Sequence, residues 1–200
     1  MNETAPSPLD EVRRTTRFVA EQSSHVRIDL ERLEQEVKTH FEHYTLDRLP
    51  PSWAQEYHYA EPHTHPDLTA QYVLVLDSLN FCFWPLPQYE YNHLARGLKR
   101  ALERDPKAFD ADRLARLSPQ TLVGWLKSDE VVGSDVIPLI DERVRLLREV
   151  GCELKRSFGG LASNLIRKAA ASATELVKLV TAHFPGFRDQ AVYRGHQVRI

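Results

Sequence analysis

The chain has 200 residues, 42% of them hydrophobic and 27% charged, with 26 Lys and Arg against 28 Asp and Glu for a formal charge of −2. This length suits one domain or a compact pair, and a charge so near zero argues against sequence-independent nucleic-acid binding, which needs a basic field. There is no run of 18 apolar residues to span a membrane, Met1-Asn2-Glu3-Thr4 does not read as a signal peptide, and two sparse cysteines make no disulfide framework or four-ligand zinc site and suit a reducing cytoplasm.

Ser7-Pro8-Leu9-Asp10 predicts a helix start, with a Ser cap, Pro at the first position and an acid in the first turn. That helix runs to about Gln22. A second begins at Asp29 and carries Leu30, Leu33, Val37, Phe41 and Tyr44 at helical spacing, stopping before Pro50-Pro51. Residues 45–69 show no period and read as a long connection. His58, His63 and His65 fall inside it. Without a repeated ligand motif their expected role is hydrogen bonding, and no metal is expected.

Tyr72 to Trp84 opens like a buried strand. Yet Tyr72, Leu76, Leu79 and Phe83 share one helical stripe, with Asp77, Asn80 and Trp84 on the next. The expectation is a helix to about Asn80, ended by Pro85 and Pro87. A carboxylate in so apolar a segment is costly unless it is paired or used. Asn80 can donate to and accept from the edge of a planar base, and Phe81, Phe83 and Trp84 can stack on one. Core structure and a binding pocket both remain open readings of this segment.

Further helices are predicted over Tyr91–Arg104, from Ser118-Pro119 through Leu126, from Val136 to Phe158 under an Asp135 cap, and from Leu161 to His183. In the third of these Ile140, Val144, Leu147, Gly151, Leu154 and Phe158 alternate steps of four and three, and Gly159-Gly160 closes it. Ala191 to Ile200 reads as two extended runs about Arg194-Gly195, a hairpin. The fold class is mainly α, a multi-helix domain with a small C-terminal β-hairpin. Residues 141–200 hold 11 basic against 6 acidic residues, so this end can receive a single phosphate or simply carry solvated helix faces. Arg188-Asp189 sits in a loop, where an Arg fork can clamp a phosphate.

Several strings recur together in one order. They are Arg17-Phe18-Val-Ala-Glu21, Val75-Leu-Asp77-Ser-Leu-Asn80-Phe-Cys-Phe-Trp84-Pro85, Ile137-Pro-Leu-Ile-Asp-Glu142-Arg143, Phe158-Gly-Gly160 with Asn164 and Arg167, and Phe184-Pro185, Arg188-Asp189 with Gly195. Their order and spacing resemble the queuosine salvage family, the queuosine 5′-phosphate N-glycosylase/hydrolases. The resemblance implies a mainly helical fold, likened to helix-hairpin-helix DNA glycosylases, as a single domain over 1–200. It implies hydrolysis of queuosine 5′-monophosphate to ribose 5-phosphate and queuine, the latter salvaged for tRNA modification. The expected partner is that small nucleotide, with no cofactor, no metal, no stable nucleic acid and no membrane. For that chemistry the candidates are Asp77, Asn80, Phe83 and Trp84 for the base, Arg143 and Arg188 for the phosphate, and Asp189 as the carboxylate near the sugar. Family members are longer, continuing with an aromatic-Lys-Arg-Ala-Gln segment and an Ala-Asp-Tyr-Arg-x-Pro-Gln motif. Neither occurs here, so the main catalytic groups are expected beyond Ile200. Two other classes stay open: a non-catalytic nucleobase- or nucleotide-binding module, and a helical nucleic-acid-binding domain.

Overall fold

The computed structural model describes residues 7–41, 56–84, 89–127 and 137–199. The predicted cap Asp135, Val136, Tyr44, Pro50-Pro51, Pro85 and Pro87 lie outside them. The chain divides into two compact units, Met1–Trp53 with Arg188–Ile200, and Ala54–Phe187.

In the smaller unit, α1 (Pro8–Gln22) starts as predicted, the Ser7 hydroxyl accepting from the Asp10 amide at 3.2 Å. In α2 (Leu30–Phe41) the apolar stripe of Leu30, Leu33, Val37 and Phe41 is exposed. β1 (Gln190–Tyr193) and β2 (His196–Arg199) pair antiparallel, Gln190 opposite Arg199 and Tyr193 opposite His196. Arg194 and Gly195 both take positive φ, the left-handed two-residue turn that matches strand twist. α1 packs on β2. The Thr15 hydroxyl donates to the Arg199 carbonyl at 2.9 Å and accepts from its amide at 3.1 Å. Phe18 sets its ring edge-on to Tyr193 and His196.

The larger unit is built on α3 (Pro66–Ser78), which touches α4 (Tyr91–Arg104), α7 (Ile140–Ser157) and α8 (Ala162–Lys168). Being covered by three elements explains why its sequence lacks a polar stripe and why period alone could not settle it. Tyr72, Val75, Leu76 and Leu79 are fully buried. The helix stops at Ser78, two residues short of the expected Asn80. α5 (Ala111–Leu114) is a single turn that the sequence reading did not include, and α6 (Pro119–Leu126) lies where predicted under its Ser118 cap. No helix among the described residues is long and apolar enough to cross a membrane.

α5 and α7 cross at Gly151. A Cβ there would stand 2.4 Å from the Ala115 nitrogen and 2.7 Å from the Ala111 oxygen. Gly151→Ala is therefore expected to lower stability by about 1–3 kcal/mol, since backbone must be pushed apart. An unchanged urea midpoint would disprove so close a crossing.

One expectation is corrected. Residues 161–183 are not one helix but two, α8 and α9 (Ala173–His183). Ala170 and Ala171 break it in left-handed conformation, φ 50° and 61°. Three consecutive alanines conceal the break, because alanine favours helix. The available signal was Ser172, whose hydroxyl accepts from the Glu175 amide at 3.2 Å and starts α9. The left-handed region costs an L-residue roughly 1–2 kcal/mol, which glycine avoids while losing more chain entropy. Exposed Ala171→Gly should thus raise stability by up to about 1 kcal/mol in urea unfolding; a lowered midpoint would contradict the strain. α9 is tied to α7 at its end, where His183 Nδ1 meets Glu153 Oε1 at 2.7 Å.

Candidate functional site

The turn at residues 170–171 lets α9 fold back beside α8, and the two with α3 enclose a cavity of about 580 Å³. Val73 and Asp77 line it from α3, Leu165 and Ile166 from α8, Leu176 and Val180 from α9. Asp77 is the sole ionisable residue of its lining among the described residues. Asp77 is itself exposed, while the other lining residues are almost all apolar. The resulting desolvation raises its pKa above the ordinary carboxylate value. An Asp in so apolar a chamber is suited to meet a polar ligand edge.

A polar string runs beside it. The phenol of Tyr91, at the first turn of α4, is pushed to higher pKa by burial and then by the Asp77 charge. Its oxygen lies 2.8 Å from His58 Nε2. Tyr72, whose phenol is also raised by burial, donates to the Ala95 carbonyl at 3.0 Å. The buried His58 is thus a hydrogen-bonding residue, while His63 and His65 are exposed. No group of three or more His, Cys, Asp and Glu is placed to hold a metal among the described residues.

The other sequence-selected residues do not share Asp77's cavity. Asn80 and Trp84 are exposed past the end of α3, Trp84 by 72%. Phe83 instead joins a cluster about Arg143. The Arg143 side chain is fully buried. Its Nε donates to the Pro138 carbonyl at 2.8 Å, Nη1 to Leu79 at 2.5 Å, and Nη2 to Phe81 at 2.6 Å and Cys82 at 3.1 Å. Its guanidinium also lies 4.4 Å from the Phe81 ring centre and 5.3 Å from that of Tyr89. Cys82 and Leu139, in the two turns it grips, both take positive φ. Burial lowers the arginine's pKa, but carbonyls and rings stand in for a counter-ion. Beside it the buried Tyr89 hydroxyl has no hydrogen-bond partner among the described residues. Arg188 and Asp189 are exposed residues of the smaller unit, just before β1.

The segments that build this geometry, from His58 to β2, are also those of a known family. The family described as queuosine salvage protein matches residues 58–200. The chain belongs to the queuosine salvage protein family. As a queuosine salvage chain it is 43% identical, over 199 residues, to a queuosine 5′-phosphate N-glycosylase/hydrolase of Dictyostelium discoideum. That alignment covers 96% of this chain and 60% of the relative. A relative of the same name from Sphaerobacter thermophilus is 38% identical over 195 residues, covering 92% of this chain and 57% of its own. One from Mus musculus is 29% identical over 199 residues, covering 93% and 57%. The chain spans somewhat under two thirds of the length of these relatives. The sequence resemblance is thereby borne out, as is the mainly helical fold with its terminal hairpin.

Cavity residues on α9 such as Leu176 and Val180 had no functional signal in the sequence, since they read as an ordinary apolar helix face. Tyr91 likewise read only as a helix start.

Proposed function

We propose that this family member hydrolyses the N-glycosidic bond of queuosine 5′-monophosphate and seats the queuine base against Asp77. The single observation that carries the placement is one carboxyl, raised in pKa, in an apolar chamber. Cleavage leaves electrons on the departing base and positive charge on the ribose. A 7-deazaguanine lacks the ring nitrogen that purine enzymes often protonate, so help must reach the base elsewhere on its edge. Seating the base displaces water from the chamber and drives Asp77 further toward its neutral form. The protonated carboxyl then donates a hydrogen bond that strengthens as the base gains charge.

On the sequence alone, Asp189 is kept as a candidate carboxylate and Arg188 as a candidate phosphate contact, with no site among the described residues joining them to the Asp77 cavity. We assign Arg143 to support of the 79–83 turn, because its guanidinium is occupied by carbonyls. Asn80 and Trp84 are available to the ligand outside the cavity, with Phe83 behind them in the Arg143 cluster. The substrate is a free nucleotide, and the protein is assigned to the cytoplasm.

The test mixes purified chain with queuosine 5′-monophosphate and measures released queuine chromatographically, with the Dictyostelium relative as control. Release by the relative, and by this chain once extended with the relative's C-terminal part, is the expected result, with little or none from residues 1–200 alone. An extended, folded chain that releases nothing while the relative is active would overturn the hydrolase reading. Retained queuine affinity in that chain would favour a base-binding module.

A further inference from the structure

A second cavity, about 490 Å³, opens on α4, the α5 turn and α6. Arg104, Arg113, Arg116 and Trp125 line it, with Asp105 as the sole acidic lining residue among the described residues. Asp105 is already engaged, pairing with Arg113 and accepting from the Lys107 amide at 3.0 Å. These bonds hold its carboxyl below the usual range. Nearby acids have cations close by: Asp112 pairs with Lys155 and also feels the Arg116 charge, and Glu103 lies 3.7 Å from Lys99. The guanidinium groups of Arg104 and Arg116 have no hydrogen bond or ion pair among the described residues. Three arginines thus line one cavity whose lining holds one carboxylate among the described residues.

Like charges gathered around a concave site repel one another and focus a positive field into it. An anion relieves that repulsion, and the planar fork of Arg matches a phosphate. The half-buried Trp125 adds a flat apolar wall, held edge-on by Phe109 with ring centres 5.2 Å apart. Phosphate recognition beside an aromatic wall, in a space sized for a small ligand, describes a nucleotide. The acids interleaved at 103, 105, 110 and 112 interrupt any longer basic track, which a polynucleotide backbone would need.

We infer that this cavity is a second ligand site, taking a 5′-mononucleotide with its phosphate on Arg104 and Arg116 and its base against Trp125. The site is separate from the Asp77 cavity and does not depend on the hydrolase reading.

The probe is guanosine 5′-monophosphate, titrated against the whole chain by calorimetry and tryptophan fluorescence. Guanosine, inorganic phosphate and a 12-nucleotide single-stranded RNA form the comparison arms. Arg104 and Arg116 are exposed, so the double variant Arg104→Gln, Arg116→Gln should fold, which circular dichroism checks. Affinity for the mononucleotide is expected to fall at least tenfold in it. Trp125→Phe should abolish the fluorescence change, whereas Asp77→Asn should leave that change in place. Phosphate binding as tightly as the mononucleotide would mean an anion site alone and would overturn the nucleotide assignment. RNA binding without mononucleotide binding would overturn it too, as would a double variant that binds like wild type. If the double variant does not fold, Arg116→Gln alone carries the same test, with an expected loss of at least threefold.

Discussion

Arg143→Met should lower the stability of the larger unit by about 3–5 kcal/mol, as loss of one side of a buried hydrogen-bonded charge network does. Methionine fills much of the space but donates nothing. The carbonyls of Leu79, Phe81, Cys82 and Pro138 would each lose a donor in the interior. Each buried polar group left unpaired costs about 1–3 kcal/mol, so even partial hydration leaves a large deficit. The turns at Cys82 and Leu139 should loosen first, because their left-handed backbone is held from outside. Urea unfolding checks the magnitude, and hydrogen exchange of residues 79–84 checks the place. A loss below 1 kcal/mol would show that water replaces the guanidinium, and that Arg143 is not the brace of this turn.

Asp77→Asn should move stability and activity in opposite directions. Partial desolvation raises the Asp77 pKa from its ordinary 3.8, so the folded chain binds this proton more tightly than the unfolded chain. Stability then falls as pH rises through the window between the unfolded and folded values, and the loss persists above it. Asparagine never ionises and escapes that loss. The variant should therefore unfold at a higher temperature than wild type at pH 7, with the gap closing below about pH 3.8 as both side chains become neutral. If Asp77 is the acid on the departing base, queuine release by the chain extended with the relative's C-terminal part should drop roughly 10²–10⁴-fold. A variant less stable at neutral pH would contradict the desolvated carboxyl. Unchanged release would remove Asp77 from the chemistry while leaving the stability result standing.

Much of the fold could be read locally. Ser7, Ser118 and the Arg194-Gly195 turn mark their elements because capping and turn chemistry involve residues only a few positions apart. α5 escaped because one turn shows no period. The α8–α9 break escaped because Ala170 and Ala171 take a backbone conformation that their residue type disfavours. The site divides in the same way. Asp77 stands out as a polar residue in an apolar run, but the walls that raise its pKa come from α9, about a hundred residues on. Arg143 reads as half of an adjacent Glu142-Arg143 pair. Its burial under Phe81 and Tyr89 depends on contacts some sixty residues away, which no local pattern encodes.

The bonds between Thr15 and Arg199 join residues 184 apart in sequence. A ribosome emits the chain from one end, so α1 emerges long before the strand it packs against. At a typical 5–20 residues per second, synthesis leaves α1 without β2 for about 10–35 s. Every contact within residues 54–187 becomes available sooner, so the larger unit matures first. In refolding from denaturant, where all segments are present at once, the smaller unit still faces the slower search, because its α1–β2 contact closes a loop of 184 residues. Birth order and assembly order therefore differ for α1: it is made before the larger unit and settles after it.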